Sequence, residues 1–345
     1  LDKYMRHPAT SRLYHKDARQ RRRAVRKLFE DHDPDNLHDF INLLDDKEAW
    51  YREKSMEAIV KWANNGDEKI IQKLSTSEYI SQRLLAAKLS QRLDKNRNKI
   101  LQMLCLDNEI TVRISAWKEK LNVPDSEVNN LIKKGMASED KAIRKISLIR
   151  LSKMENIEIK YILESLEDVS YSVINAGLEI IKSKPKINKD GDFDGHLTRI
   201  AFDKSNKNCN IAASILIEKN YTNAEMTKSI LKWSEESDME FLNPIVNSLR
   251  KIEWWNNEQL RLHIINNSSD AFVIKIIRGS NSEIVTKIRN EILTKSKRDD
   301  DVKSRIIEDL IGRKISNSTL EIIKEFKNNS NPNLSTLSKE ILDNL

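Results

Sequence analysis

Apolar residues recur along much of this chain at the i, i+3/i+4, i+7 spacing that gives a helix one buried stripe. Four sets stand out: Leu37, Phe40, Ile41 and Leu44; Ile70, Ile71 and Leu74; Ile100, Leu101 and Leu104; and Val128, Leu131 and Ile132. Each is followed by a second segment carrying an arginine, a small residue three positions later and a polar capping type five or six positions earlier. The arginines are Arg52, Arg83, Arg113 and Arg144, at intervals of 31, 30 and 31. The polar residues are Asp46, Ser77, Asp107 and Glu139, continued at Asp168, and the small position continues at Ala176 and Ala213. A cap opens a helix, a small residue lets a neighbouring helix approach, and a fixed period lets each pair stack on the next. The pattern predicts two-helix hairpins, with Pro34 and Pro124 in first helical turns, where proline is tolerated. Further amphipathic segments fall near 223–235, 238–251, 257–267, 270–278, 282–296, 300–312, 317–327 and 333–344, so the chain from 34 onward holds about ten hairpins.

The interval stretches to 37 between Val173 and Asn210. The added residues fall in 183–196, a stretch with two glycines and an acidic run at Asp190, Asp192 and Asp194, which predicts a long irregular loop between N-terminal repeats (34–182) and divergent C-terminal repeats (197–345). The arginine ladder itself reads as structural: each guanidinium is expected to pair with the capping acid of a neighbouring turn and to satisfy buried carbonyls.

The Asp...Val/Ile-Arg-x-x-Ala pattern, fullest at Asp107, Val112, Arg113 and Ala116 and partial at Ile143, Arg144 and Ser147, resembles the HEAT-repeat superfamily, most closely the short repeats of about 31 residues first described in phycobilisome lyases. The resemblance covers residues 34 to about 220. It implies an all-α, right-handed α-solenoid of HEAT-like two-helix repeats whose second helices line a concave face, and a scaffold more often than an enzyme.

Composition supports a helical chain and locates its charge. Only 7 of 345 residues are glycine, too few for the Gly-rich loops of nucleotide-binding crossovers. The net charge is +7, and residues 1–30, with ten basic and three acidic side chains, account for all of it. Residues 1–33 therefore read as a basic N-terminal extension. Within it Ala18, Val25, Leu28 and Phe29 share one stripe of a helix, which leaves Arg19, Arg23, Arg26 and Lys27 towards solvent and Arg22 on the flank. Arg21 points towards the stripe and would have to snorkel. Such a face suits phosphates, because each contact releases condensed counterions. An acidic protein and an import receptor fit the same composition. Lys88, Lys118 and Lys145, on the second helices, are candidates to extend nucleic-acid contact along the concave face.

The adjacent pair Trp254 and Trp255 is a candidate protein contact, since neighbouring helical positions cannot both point inward. Asp190, Asp192, Asp194 and Gly195 match the first half of a calcium loop, but its twelfth position is Ala201 rather than Glu, so no metal is expected. The six histidines lack metal-type spacing, no nucleophile motif or nucleotide loop is present, and no cofactor is expected. One enzymatic alternative rests on resemblance: DNA-alkylation-repeat glycosylases are short HEAT-like solenoids that cradle DNA with aromatic residues and an acid, and Trp50-Tyr51-Arg52 looks like part of such a cradle. Cys105 and Cys209 lie far apart and suggest a reducing, intracellular setting, cytoplasmic or nuclear. No stretch approaches the ~20 apolar residues of a membrane span. The chain opens on Leu1, as a fragment or processed product would. The expected function is a non-enzymatic scaffold that binds nucleic acid through the basic helix and a protein through the solenoid surface, the alternatives being a purely protein-binding adaptor and the glycosylase.

Overall fold

The computed structural model describes residues 7–64, 67–93, 95–190, 192–220, 224–280 and 282–344, and every regular element among them is helical. The chain divides into two compact units, Leu1–Asn156 and Ile157–Leu345. In the first, α1 (Ala18–Glu30) is followed by the pairs α2 (Leu37–Ile41) and α3 (Ala49–Trp62), α4 (Glu68–Ser75) and α5 (Ile80–Leu89), α6 (Arg97–Leu104) and α7 (Ile110–Lys120), and α8 (Asp125–Met136) and α9 (Lys141–Leu151). Each pair packs as a hairpin, and the second helices α3, α5, α7 and α9 stack in succession.

The small residue after each ladder arginine makes this stacking possible. Ser55, Ala86, Ala116 and Ser147 are completely buried, and Ser55 Oγ donates to Phe40 O on the partner helix at 2.6 Å. Gly135 of α8 faces Ser147 of α9 so closely that an added Cβ would lie 2.0 Å from its Oγ and 3.1 Å from its Cβ. Burying Ile71, Leu74, Leu101, Val112, Ile132 and Leu148 between these layers supplies the cohesion, at about 1.5–3 kcal/mol for each large aliphatic side chain.

The residues expected as helix caps act one step earlier. Asp46 accepts from the N–H of Glu48, Ser77 from that of Tyr79 and Asp107 from that of Glu109, so each closes the turn that precedes its helix. In the fourth repeat Ser138 plays this part, with Asp140 N–H as donor, in place of Glu139.

The second unit runs α10 (Ile159–Leu166), α11 (Tyr171–Ser183), α12 (Pro185–Asp190), α13 (Asp194–Phe202), α14 (Cys209–Asn220), α15 (Ala224–Ser234), α16 (Met239–Leu249), α17 (Glu258–Asn266), α18 (Asp270–Ile277), α19 (Glu283–Lys295), α20 (Asp300–Glu308), α21 (Asn317–Phe326) and α22 (Pro332–Asp343). The helices α14, α16, α18, α20 and α22 stack in order, with α15, α17, α19 and α21 forming the other layer. The segment 183–196, expected as a loop, is mostly helical: it holds α12 and the first turn of α13. Pro185 opens α12, where its missing N–H has no helical partner to lose. Gly191 and the Asp190 side chain lie outside the described parts, and Asp194 pairs with Lys219 at 2.8 Å.

Although the ladder arginine disappears after the first unit, its task does not. Arg298 donates to Ile264 O and Ile265 O at the end of α17 and pairs with Asp270 at 2.7 Å. A buried guanidinium again donates to backbone carbonyls, here at a helix end, where Ser268 Oγ also donates to Ile264 O.

Candidate nucleic-acid interface

The ladder arginines are committed to the scaffold. Nη1 of Arg52, Arg83, Arg113 and Arg144 donates to the carbonyls six and five residues earlier, at distances between 2.6 and 3.0 Å. Arg83 then grips both carboxylate oxygens of Asp107, at 2.7 and 3.1 Å, and Arg113 those of Asp140, at 2.8 and 3.2 Å. Arg52 has Ser77 where the next acid would stand, and its guanidinium lies over the Tyr79 ring instead, 4.1 Å from the centroid. These forks leave none of Arg52, Arg83 and Arg113 free to take a phosphate.

Arg21 is a further rung. It stands 31 residues before Arg52, with Ala24 at the small position three residues later. Its Nη2 pairs with Asp46, its Nε donates to Leu13 O at 2.8 Å, and its guanidinium lies 3.9 Å over the Tyr51 ring. The helix α1 thus has the contacts of a second helix, in register with the ladder. Ala24, Val25 and Leu28 form its buried face, whereas Ala18, expected there, is exposed. Phe29 stacks on Trp62 at 5.2 Å and meets Phe40 edge-on at 4.8 Å, locking the end of α1 against the first hairpin.

With one face clamped, the other face of α1 presents Arg19, Arg22, Arg23 and Arg26, all exposed. The side chains of Arg19, Arg23 and Arg26 form no hydrogen bond or salt bridge with any described residue. Arg22 reaches Glu48 only at 3.9 Å and lies 5.6 Å from the centroid of Trp50, which is half-buried. Lys27, placed by the pattern in the same group, pairs with Glu30 at 2.9 Å. That pair is exposed and holds the Glu30 carboxyl below the usual range through the Lys27 hydrogen bond.

Lys88, Lys118 and Lys145 also lie on exposed faces of the stacked second helices. Lys88 borders a hollow between α3 and α5, together with Glu53 and Glu57, and Lys118 borders one between α7 and α9. The acids beside Lys88 interrupt any unbroken positive track from α1. The Trp50-Tyr51-Arg52 cradle does not form: Tyr51 is wholly buried with its hydroxyl donating to Ala18 O at 3.4 Å, and Arg52 is held by the carbonyls of Asp46 and Lys47. Trp50 and Arg52 are half-buried, and of the two only the Trp50 ring is not held by such backbone contacts. Of the tryptophan pair, Trp254 is 3% exposed and belongs to the core, a correction to its place as a contact residue, while Trp255 is half-buried and meets it edge-on at 6.2 Å. Burial pushes the Cys105 thiol up to about 11, so it behaves as a small apolar group. Among the described residues no cluster of three metal-ligating side chains occurs, and no helix is long and apolar enough to cross a membrane.

No family model matches the chain, and no curated protein matches it. Among solved structures, an engineered protein aligns over 97% of each chain at 14% identity, with a TM-score of 0.39. A condensin subcomplex of S. pombe aligns over 95% of this chain and 52% of the other at 15% identity, also with a TM-score of 0.39. Microtubule-polymerase TOG-domain arrays align over 96% and 92% at 11% identity, with a TM-score of 0.30. Likeness of this degree carries no information about partners, and the reading of the site rests on its geometry.

Proposed function

We propose that the chain is a non-enzymatic helical-repeat scaffold, of the short HEAT-like type, that binds nucleic acid through the arginine face of α1 and a protein partner through the surface of its stacked helices. The observation that carries the nucleic-acid half is a contrast on one helix. Arg21 is spent on the ladder, while Arg19, Arg22, Arg23 and Arg26 project from a rigidly held element with no carboxylate closer than 3.9 Å to any of their nitrogens among the described residues. A fixed cluster of guanidinium groups meets phosphates without ordering a flexible arm first, and arginine suits their oxygens through bidentate hydrogen bonds. Contacts of this kind position a backbone and read no base, so the expected target is duplex DNA or structured RNA bound with little sequence preference. The two buried cysteines are in keeping with an intracellular setting, cytoplasmic or nuclear.

The deciding measurement is a gel-shift titration with duplex DNA and with a structured RNA at several salt concentrations. Neutralising four phosphates gives a slope of log affinity against log salt of about −3.6 on duplex DNA. Replacing Arg19, Arg22, Arg23 and Arg26 by Ala abolishes that slope and leaves the helical signal intact. If intact chain and variant bind equally, the arginine face is not the site. If neither binds, the adaptor reading takes over; it draws support from the hollow of about 520 Å³ between α3 and α5, where Met56, Val60, Leu84 and Leu85 form a mainly apolar lining.

A further inference from the structure

A different hollow, in the second unit, combines apolar lining with unspent positive charge. It measures about 570 Å³ and lies between α18 and α20, within the range of ligand-binding clefts. Met239, Ile274 and Ile311 give it apolar surface, and four cations, Lys275, Arg278, Arg305 and Arg313, border it.

Two of those cations are already engaged. Asp309, whose side chain is only 14% exposed, pairs with Arg313 at 3.0 Å and Arg278 at 3.7 Å, and it accepts from the N–H of Gly279 at 3.1 Å. Gly279 has φ of +79°, a backbone conformation that favours glycine, and it directs that N–H at the carboxylate. The side chains of Lys275 and Arg305 form no hydrogen bond or salt bridge with a described residue, although both line the same hollow. Glu308 is the one remaining acid in the lining, which leaves a positive balance beside the apolar side chains.

We infer that this hollow binds an acidic peptide segment of a protein partner, with an apolar side chain of the peptide seated among Met239, Ile274 and Ile311 and flanking carboxylates paired to Lys275 and Arg305. Charge and composition select this occupant over nucleic acid. Single strands bind on aromatic platforms, and the lining holds no aromatic residue. A duplex backbone needs a line of cations and gains nothing from apolar side chains such as Met239, Ile274 and Ile311. The inference deepens the protein-binding half of the proposed function and is independent of α1.

Selection of a phage-displayed random dodecapeptide library on the full chain tests it, followed by fluorescence polarisation with the enriched peptides. Enriched sequences are expected to carry Asp or Glu beside Leu, Met or Phe. Lys275→Glu and Arg305→Glu should each weaken those peptides at least tenfold with the helical spectrum unchanged. Exchanging the peptide acids for lysine should restore binding to the charge-reversed variants, a rescue that mere structural damage does not give. Peptides bound equally by wild type and both variants overturn the site while leaving a peptide-binding scaffold. Absence of enrichment on either protein overturns the site and the protein-binding half together. Displacement of the peptides by an oligonucleotide from the Lys275 and Arg305 site, in preference to free acidic peptide, overturns the choice of ligand.

Discussion

Replacing Arg83 by Ala removes the best-formed rung of the ladder. Its guanidinium makes four hydrogen bonds, two to the Asp107 carboxylate and two to Ser77 O and Glu78 O, with side-chain exposures of 15% for Arg83 and 9% for Asp107. Breaking a buried pair from one side costs about 3–5 kcal/mol, because the surviving charge is left in poor solvent. Asp107 keeps the Glu109 N–H at 2.9 Å and the nearby charge of Arg113, which places the expected loss near the lower end, about 3 kcal/mol. At about 2–4 °C per kcal/mol for a unit of this size, the first unit should melt about 6–12 °C lower by scanning calorimetry. The loss should also depend on pH. Burial pushes the Asp107 carboxyl up, but the Arg83 hydrogen bond, the Glu109 N–H and the charges of Arg83 and Arg113 outweigh it and hold the group below its usual range. A depressed folded value contributes stability above the unfolded pKa, near 3.9, and loses it as pH falls through the folded value. Wild type and variant should therefore converge as pH falls below the unfolded value and through the lowered folded one. Arg52→Ala, which loses two carbonyl bonds and a ring contact but strands no acid, should cost about half as much. Equal costs for the two variants, or a loss below about 1 kcal/mol for Arg83→Ala, would refute the view that forked pairing with a buried acid holds successive repeats together.

Other consequences follow from the same contacts. Arg21→Ala should expose α1 to limited proteolysis between residues 7 and 33 while the remaining repeats stay protected, because it frees Asp46, Leu13 O and the Tyr51 face at once. Gly135→Ala and Gly177→Ala should each cost about 1–3 kcal/mol in urea unfolding, since the new Cβ would sit 2.0 Å from Ser147 Oγ or Ser165 Oγ and 3.1 Å from the corresponding Cβ. Cys105, buried and with its thiol held up at about 11, should resist a thiol reagent at pH 8 in the native protein and react fully in denaturant.

The local sequence determined the helical hairpins and their period, because capping turns, apolar spacing and a small residue at each crossing are short-range requirements read within one repeat. The same period, carried one step towards the N-terminus, lands on Arg21 and Ala24. That signal was hidden because six basic residues between 19 and 27 read as one charged face, whereas the fold separates a spent rung from free arginines. Propensity could not reveal α12 within 183–196, since polar residues with a proline at their head serve a loop or a short helix equally well. Which member of the Trp254 and Trp255 pair is buried depends on the rotation of a short helical turn against its neighbours. Lys275 and Arg305 stand 30 residues apart and share a hollow only because α18 and α20 stack. Sequence period places residues on equivalent faces; the partner each side chain finds there is decided by helix rotation and by the competition of neighbouring acids, which exist only once the layers are packed.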